Sequence, residues 1–142
     1  IENDFIFFSN YDSPKSLSFE SHDQISALFF WSSTNTQIRM KARIKKTSIK
    51  FNKEYFKKRS VDKNALAISS DQSKKILSYN EILKKYNNIK KSEDLSVCPD
   101  YWGGFSFTPY YFEFWKGDQS RINKRKIFQK INGEWDEFFL QP

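Results

Sequence analysis

Residues 37–46 read QIRMKARIKK, and within them Ile38, Met40, Ala42 and Ile44 alternate with Gln37, Arg39, Lys41, Arg43 and Lys45. A strict period of two is the pattern of a β-strand with one face on the core and one in water. The preceding stretch Gln24–Trp31 (QISALFFW) is apolar at both parities, which predicts a central strand covered on both faces. Upstream, Phe5–Phe8 is a short apolar run bounded by Asn3-Asp4 and by Ser9-Asn10-Tyr11-Asp12-Ser13. That reads as a buried strand followed by a loop. Ser13 before Pro14 is a helix start, because proline has no N–H to leave unpaired in the first turn, and a short helix over Pro14–Ser21 is expected.

Downstream the period changes. Residues 48–92 contain no Gly or Pro and carry apolar side chains at helical spacing. Helices are predicted over about Ile49–Lys58, from an N-cap at Asp62 through Ala65-Leu66-Ala67-Ile68, and from Ser78 to about Lys91. The last has Ser78 and Glu81 spaced as a capping box and a stripe of Ile82, Leu83, Tyr86 and Ile89. After the loop Ser96–Asp100, strand patterns return at Trp102-Gly103-Gly104-Phe105, Tyr110–Trp115, Lys124–Ile131 and Glu134–Leu140. Asn132-Gly133 between the last two is the preferred dipeptide of a type I′ hairpin. Six or seven strands with helices as excursions predict a mainly β chain, a β-barrel or sandwich with peripheral α-helices.

The 142 residues suit one domain, 1–142, with a helical insertion at about 48–92. Lys plus Arg is 24 against 17 Asp plus Glu, a formal net charge of +7, so an anionic partner is expected. No apolar run approaches the roughly 18 residues needed to span a bilayer. A single cysteine, Cys98, forms no internal disulfide, and one His with one Cys does not supply a usual zinc site; no metal is expected, and a cytoplasmic setting is. The chain opens at Ile1-Glu2-Asn3-Asp4 without an initiator Met, as a domain entered partway.

Three constellations are candidates for binding anions. The wet strand face Arg39, Lys41, Arg43, Lys45 is either a phosphate-tracking surface for nucleic acid or a solvated face; without a recognition motif, the nucleic-acid reading is the lesser. Ser9–Lys15 gathers hydroxyls and a Lys at a helix start, where an anion or an ordinary cap fits. Glu113-Phe114-Trp115-Lys116-Gly117 followed by Arg121 and Arg125 sets two guanidinium groups four residues apart beyond an aromatic strand, either a ligand site or a charged loop. His22 has no nearby partner and no nucleophile frame exists, so chemistry here points to a cofactor. Glu113 and Asp136 show no pairing that spacing alone establishes.

Taken in order, FIFFSNYDSPK (5–15), LFFW (28–31), QIRMKARIKK (37–46), YFKKRSVD (55–62), QSKKI (72–76), WGGFSFTPYYFEFWKG (102–117) and RINKR (121–125) resemble the pyridoxamine 5′-phosphate oxidase family. The resemblance implies an FMN-binding split barrel, a homodimer with FMN in clefts between the subunits. It implies oxidation of pyridoxamine or pyridoxine 5′-phosphate to pyridoxal 5′-phosphate by hydride transfer to flavin N5, with reoxidation by molecular oxygen. Phe8, Ser9, Lys15, Gln37, Gln72, Ser73, Trp115 and Arg125 fall at the family's FMN-binding positions. Tyr55, Arg59, Lys63, Arg121 and Asn123 fall at its substrate positions, Arg121 being the catalytic guanidinium over the substrate ring. The chain departs from the family at Pro14, where an Arg meets the FMN phosphate, at Lys63, where a small Ser stands, and at Asn123, where a His stands. The family's stretch before residue 1, with early barrel strands, has no counterpart in the 142 residues. Two other readings are a divergent flavin-binding or flavin-reductase-like split barrel without this activity, and a non-catalytic basic module for nucleic acid. The aromatic residues Phe105, Phe112 and Phe114 are expected to supply apolar surface for the homodimer.

Overall fold

The computed structural model describes residues 4–142; Ile1-Glu2-Asn3, on which the reading of a domain entered partway depends, lie outside the described residues. Six strands and four helices follow in the order β1 (Phe5–Asn10), α1 (Pro14–Ser21), β2 (Gln24–Trp31), β3 (Thr36–Lys46), α2 (Ile49–Lys58), α3 (Val61–Ser69), α4 (Tyr79–Ser92), β4 (Trp102–Lys116), β5 (Lys124–Ile131) and β6 (Glu134–Leu140). The strands join in the order β2-β3-β4-β5-β6, and β1 pairs with β4. This is the mainly β architecture with peripheral helices that the patterns predict. Two compact units are distinguishable, one of residues 4–5, Asp23–Ile44 and Phe107–Pro142, the other of Ile6–His22 and Lys45–Ser106.

In the first unit the alternation of β3 is realised as read. Ile38, Met40, Ala42 and Ile44 are buried, together with Ile127 of β5. Antiparallel ladders set Phe29 opposite Ile38, Glu113 opposite Ile127 and Ile127 opposite Phe138. Asn132 and Gly133 both have positive φ, 51° and 93°, as a type I′ turn requires. Its two-residue length fixes the β5/β6 register.

Two strand expectations need correction. β2 is an edge strand, not a central one, and its Leu28, Phe29, Phe30 and Trp31 are exposed. An apolar run at both parities says that the faces are apolar, not that anything covers them. The two patterns at 102–105 and 110–115 form one 15-residue strand, β4, that runs through Pro109. Pro109 lies before Tyr111, where the ladder to β5 begins, so its missing N–H interrupts none of those pairs.

The second unit carries the helices. Pro14 occupies the first turn of α1, as expected. Ser48 caps α2, its hydroxyl accepting from the Phe51 N–H at 3.2 Å. The cap of α3 is Ser60 rather than Asp62. Asp62 instead sits in the first turn, where an acidic side chain suits the helix dipole, and accepts from Lys90 Nζ (2.6 Å) and the Tyr86 hydroxyl (2.9 Å) of α4. Ser78 caps α4 without a side-chain hydrogen bond, so the reciprocal box is not formed; Glu81 accepts from the Leu77 N–H at 3.2 Å instead. Phe105 is only 2 % exposed, with Phe7 stacked at 5.5 Å and Phe19 edge-on at 5.2 Å. It is core, not the spare dimer surface expected of it.

Candidate functional site

β1 delivers Phe8 and Ser9, which the sequence assigns to a cofactor, into a stack of flat groups. Phe8 lies 3.9 Å from the Tyr55 ring of α2 and 5.0 Å from the Trp102 indole, with interplanar angles of 11° and 6°. On Trp102 rests the Arg59 guanidinium, 4.5 Å from the ring centroid. Arg59 follows the last residue of α2, and its backbone N–H closes that helix on Phe56 O. Burial pulls its guanidinium below the usual arginine value, with Tyr55 and Cys98 opposing, yet an arginine keeps its charge at neutral pH. Its Nη1 is buried and has no hydrogen-bond partner among the described residues. A buried, unpaired cationic donor is costly unless an acceptor meets it.

Arg59 lines a cavity of about 240 Å³ with Phe8, Ser9, Lys63, Gln72 and Trp102 among its walls. Gln72 is held there by β1: its Oε1 accepts from the Asn10 N–H at 3.1 Å and the Ser9 hydroxyl at 3.3 Å. Five of the residues expected to bind cofactor or substrate, Phe8, Ser9, Arg59, Lys63 and Gln72, therefore meet at one place, and Tyr55 stacks on Phe8 beside them. Lys15 is exposed on α1, and Ser73 is exposed with φ 71°; neither lines this cavity. The hydroxyls at the α1 start are turned inward. Ser9, Ser13 and Ser16 form a chain (3.2 and 2.9 Å) that ends with Ser16 donating to Asn10 O at 2.8 Å. Ser13 and Ser16 are fully buried, so these two hydroxyls serve packing rather than an anion.

In the first unit, Gln37, Trp115 and Arg125 line a second cavity, about 270 Å³, with Arg39, Glu113 and Pro142. Glu113, which spacing alone left unpaired, is the centre of this cluster. Its side chain is 3 % exposed. Oε1 accepts from Arg125 Nε at 2.7 Å, and Oε2 accepts from Arg39 Nη2 and from the Tyr111 hydroxyl at 3.2 Å. Burial opposes ionisation, and hydrogen bonds from Arg125 and Arg39 outweigh it, holding the carboxyl below the usual glutamate range. The signal was faint but present: Glu113 interrupts an aromatic strand and shares a parity with Trp115, whose cross-strand partner is Arg125.

The wet face of β3 is less available than its composition suggests. Arg39 is held by Glu113, Lys41 lies 5.0 Å over the Tyr111 ring, and Arg43 makes a two-oxygen pair with Asp23 at 2.7 and 2.8 Å. Arg121 (φ 64°) and Asn123 lie in the loop between β4 and β5. Asn123 Oδ1 accepts from the Asp118 N–H at 3.1 Å. Cys98 is half-buried, which raises its thiol and leaves it protonated at neutral pH. Among the described residues no helix is long and apolar enough to cross a membrane, and no cluster of three or more His, Cys, Asp or Glu is arranged for a metal.

The strand order is that of the split-barrel fold, and solved structures share it. PhzG from Burkholderia lata, in complex with tetrahydrophenazine-1-carboxylic acid, matches all of this chain and 70% of its own at a TM-score of 0.86 and 22% identity. A pyridoxamine 5′-phosphate oxidase-related, FMN binding protein from Nostoc punctiforme matches 99% of this chain and 75% of its own at 0.77 and 12% identity. The model of the pyridoxine 5′-phosphate oxidase C-terminal dimerisation region matches residues 102–142. Pyridoxine/pyridoxamine 5′-phosphate oxidases of Leptospira interrogans and Leptospira biflexa are 30% and 33% identical across the whole of this chain, which spans 68% of each. The chain belongs to the pyridoxamine 5′-phosphate oxidase family.

Proposed function

We propose that the protein is an FMN-dependent oxidase of pyridoxamine and pyridoxine 5′-phosphates. The observation that carries this reading is the buried, unpaired Nη1 of Arg59 on the wall of the cavity lined by Phe8, Ser9, Lys63, Gln72 and Trp102. A phosphate monoester brings the acceptor oxygens and the negative charge that this donor lacks. Lys63, where the family has a small Ser, adds a second cation on the same wall. Tyr55 completes the substrate end.

The residues present fit a flavin phosphate ester as well. Of the positions the family assigns to FMN, Phe8, Ser9 and Gln72 stand at the Arg59 cavity and Gln37, Trp115 and Arg125 at the Glu113 cavity, while Lys15 and Ser73 are exposed outside the first; these are the side chains that would hold FMN. When bound, FMN supplies the two-electron acceptor, N5, for hydride from the substrate 4′ carbon, and molecular oxygen reoxidises it. The chain's own contribution would be to bind and orient: Arg59 and Lys63 would anchor the phosphate, and Arg121 falls at the position where the family sets a guanidinium over the substrate ring. The exposed Trp135 and Phe139 of β6 lie within the matched dimerisation region, which supports a homodimer.

One observation favours a second reading, a flavin-binding split barrel that does not oxidise these substrates. Asn123 stands where the family has His, and its side-chain oxygen is committed to the Asp118 N–H. Turnover separates the two. Protein loaded with FMN and given pyridoxamine 5′-phosphate in air should form pyridoxal 5′-phosphate at an enzymatic rate; flavin binding without product establishes the second reading.

A further inference from the structure

Arg125 reaches the Gln37–Trp115 cavity with two of its three nitrogens already engaged. Nε is given to Glu113 Oε1 at 2.7 Å and Nη1 to the Gln141 carbonyl at 3.1 Å, which fixes the plane of the guanidinium and leaves Nη2 as its group without a partner among the described residues. Arg39 is held from β3 by the other oxygen of the same carboxylate. Glu113 itself is 3 % exposed, against 26 % and 51 % for the Arg125 and Arg39 side chains. The carboxylate is thus the buried hub and the two guanidinium groups are its rim.

We propose that Glu113 is a positioning residue for anion binding, acting through Arg125 and secondarily through Arg39, which it holds in fixed orientation at the cavity shared with Gln37 and Trp115. The inference rests on the reading above that this cavity serves FMN. Its sign is informative. Glu113 adds a negative charge to an anion site, so by charge alone its removal strengthens FMN binding. By position, its removal frees Arg125 to rotate and weakens binding although the site becomes more positive. A fork geometry set in advance loses less entropy on meeting its acceptor.

The test is a double-mutant cycle on the whole protein, read as FMN affinity from quenching of flavin fluorescence, with Glu113→Gln, Arg125→Gln and the pair. Glu113→Gln is expected to weaken FMN binding roughly tenfold or more, the scale of one charge-assisted hydrogen bond, and to add little once Arg125→Gln is present. Glu113→Asp retains the charge and withdraws the carboxylate by one methylene; it is expected to weaken binding as well, and it keeps the question decidable if Glu113→Gln does not fold. Tighter binding by Glu113→Gln, additive losses in the cycle, or wild-type affinity in Glu113→Asp each overturns the inference. Failure of the wild-type protein to bind FMN at all overturns the flavin reading and this inference with it; FMN binding with additive losses overturns this inference alone.

Discussion

Arg59 carries a buried donor without a partner among the described residues, and in the proposed function a phosphate meets it. Arg59→Gln keeps two donors on a shorter, neutral side chain, so affinity for pyridoxal 5′-phosphate should fall roughly ten- to a hundredfold, the range of a hydrogen bond to a charged group. Titration of the ligand's absorbance measures it, and a circular dichroism spectrum unchanged from wild type assigns the loss to binding. Glu113 gives a residue-scale prediction on stability. Its carboxyl titrates lower in the folded chain than in the unfolded one, because hydrogen bonds from Arg125 and Arg39 overcome its burial. Its contribution is therefore complete above the unfolded value of about 4.3 and is lost as pH falls through the depressed value. The thermal midpoint of the wild type should decline on acidification below that point, and that of Glu113→Gln should decline less. A parallel decline in both would remove Glu113 as the cause.

At the scale of elements, β4 depends on close approach at Gly103. A Cβ there would fall 2.0 Å from the Tyr11 hydroxyl oxygen and 2.4 Å from Asn52 Nδ2. These two groups are bonded to each other at 3.0 Å, and Tyr11 also donates to Gly104 O at 3.3 Å, so neither is free to yield. Gly103→Ala should cost about 1–3 kcal/mol, as overpacking does, seen as a lower urea midpoint; an unchanged midpoint would mean that the network gives way freely. The same strand shows where sequence reading stops. β3 and the β5/β6 hairpin were legible because a period of two and an Asn-Gly turn are local signals. β4 reads as two strands because Pro109 breaks a pattern without breaking the ladder that starts beyond it. β2 reads as a central strand because apolar content at both parities does not reveal what lies alongside. The site divides likewise: the motif residues Phe8, Ser9, Arg59 and Gln72 were readable in order, while Glu113 needed the register of β4 against β5, which a long loop leaves open.

For the whole molecule, the +7 charge is now partly placed. Arg39, Arg43 and Arg125 are engaged by carboxylates, whereas Arg59 and Lys63 face a cavity with donors to offer. Exposed apolar side chains on β2 and β6 leave surface of the kind that association buries. Sedimentation at micromolar concentration should give twice the 17.0 kDa chain mass; sedimentation at that mass itself would contradict the homodimer. The central claim is that one protein holds both a flavin and a phosphorylated substrate, and a flavin absorbance titration with and without pyridoxal 5′-phosphate tests it most directly. A saturable flavin spectrum is expected that shifts when pyridoxal 5′-phosphate is added and does not shift in Arg59→Gln. Protein that remains colourless after incubation with excess FMN would contradict it.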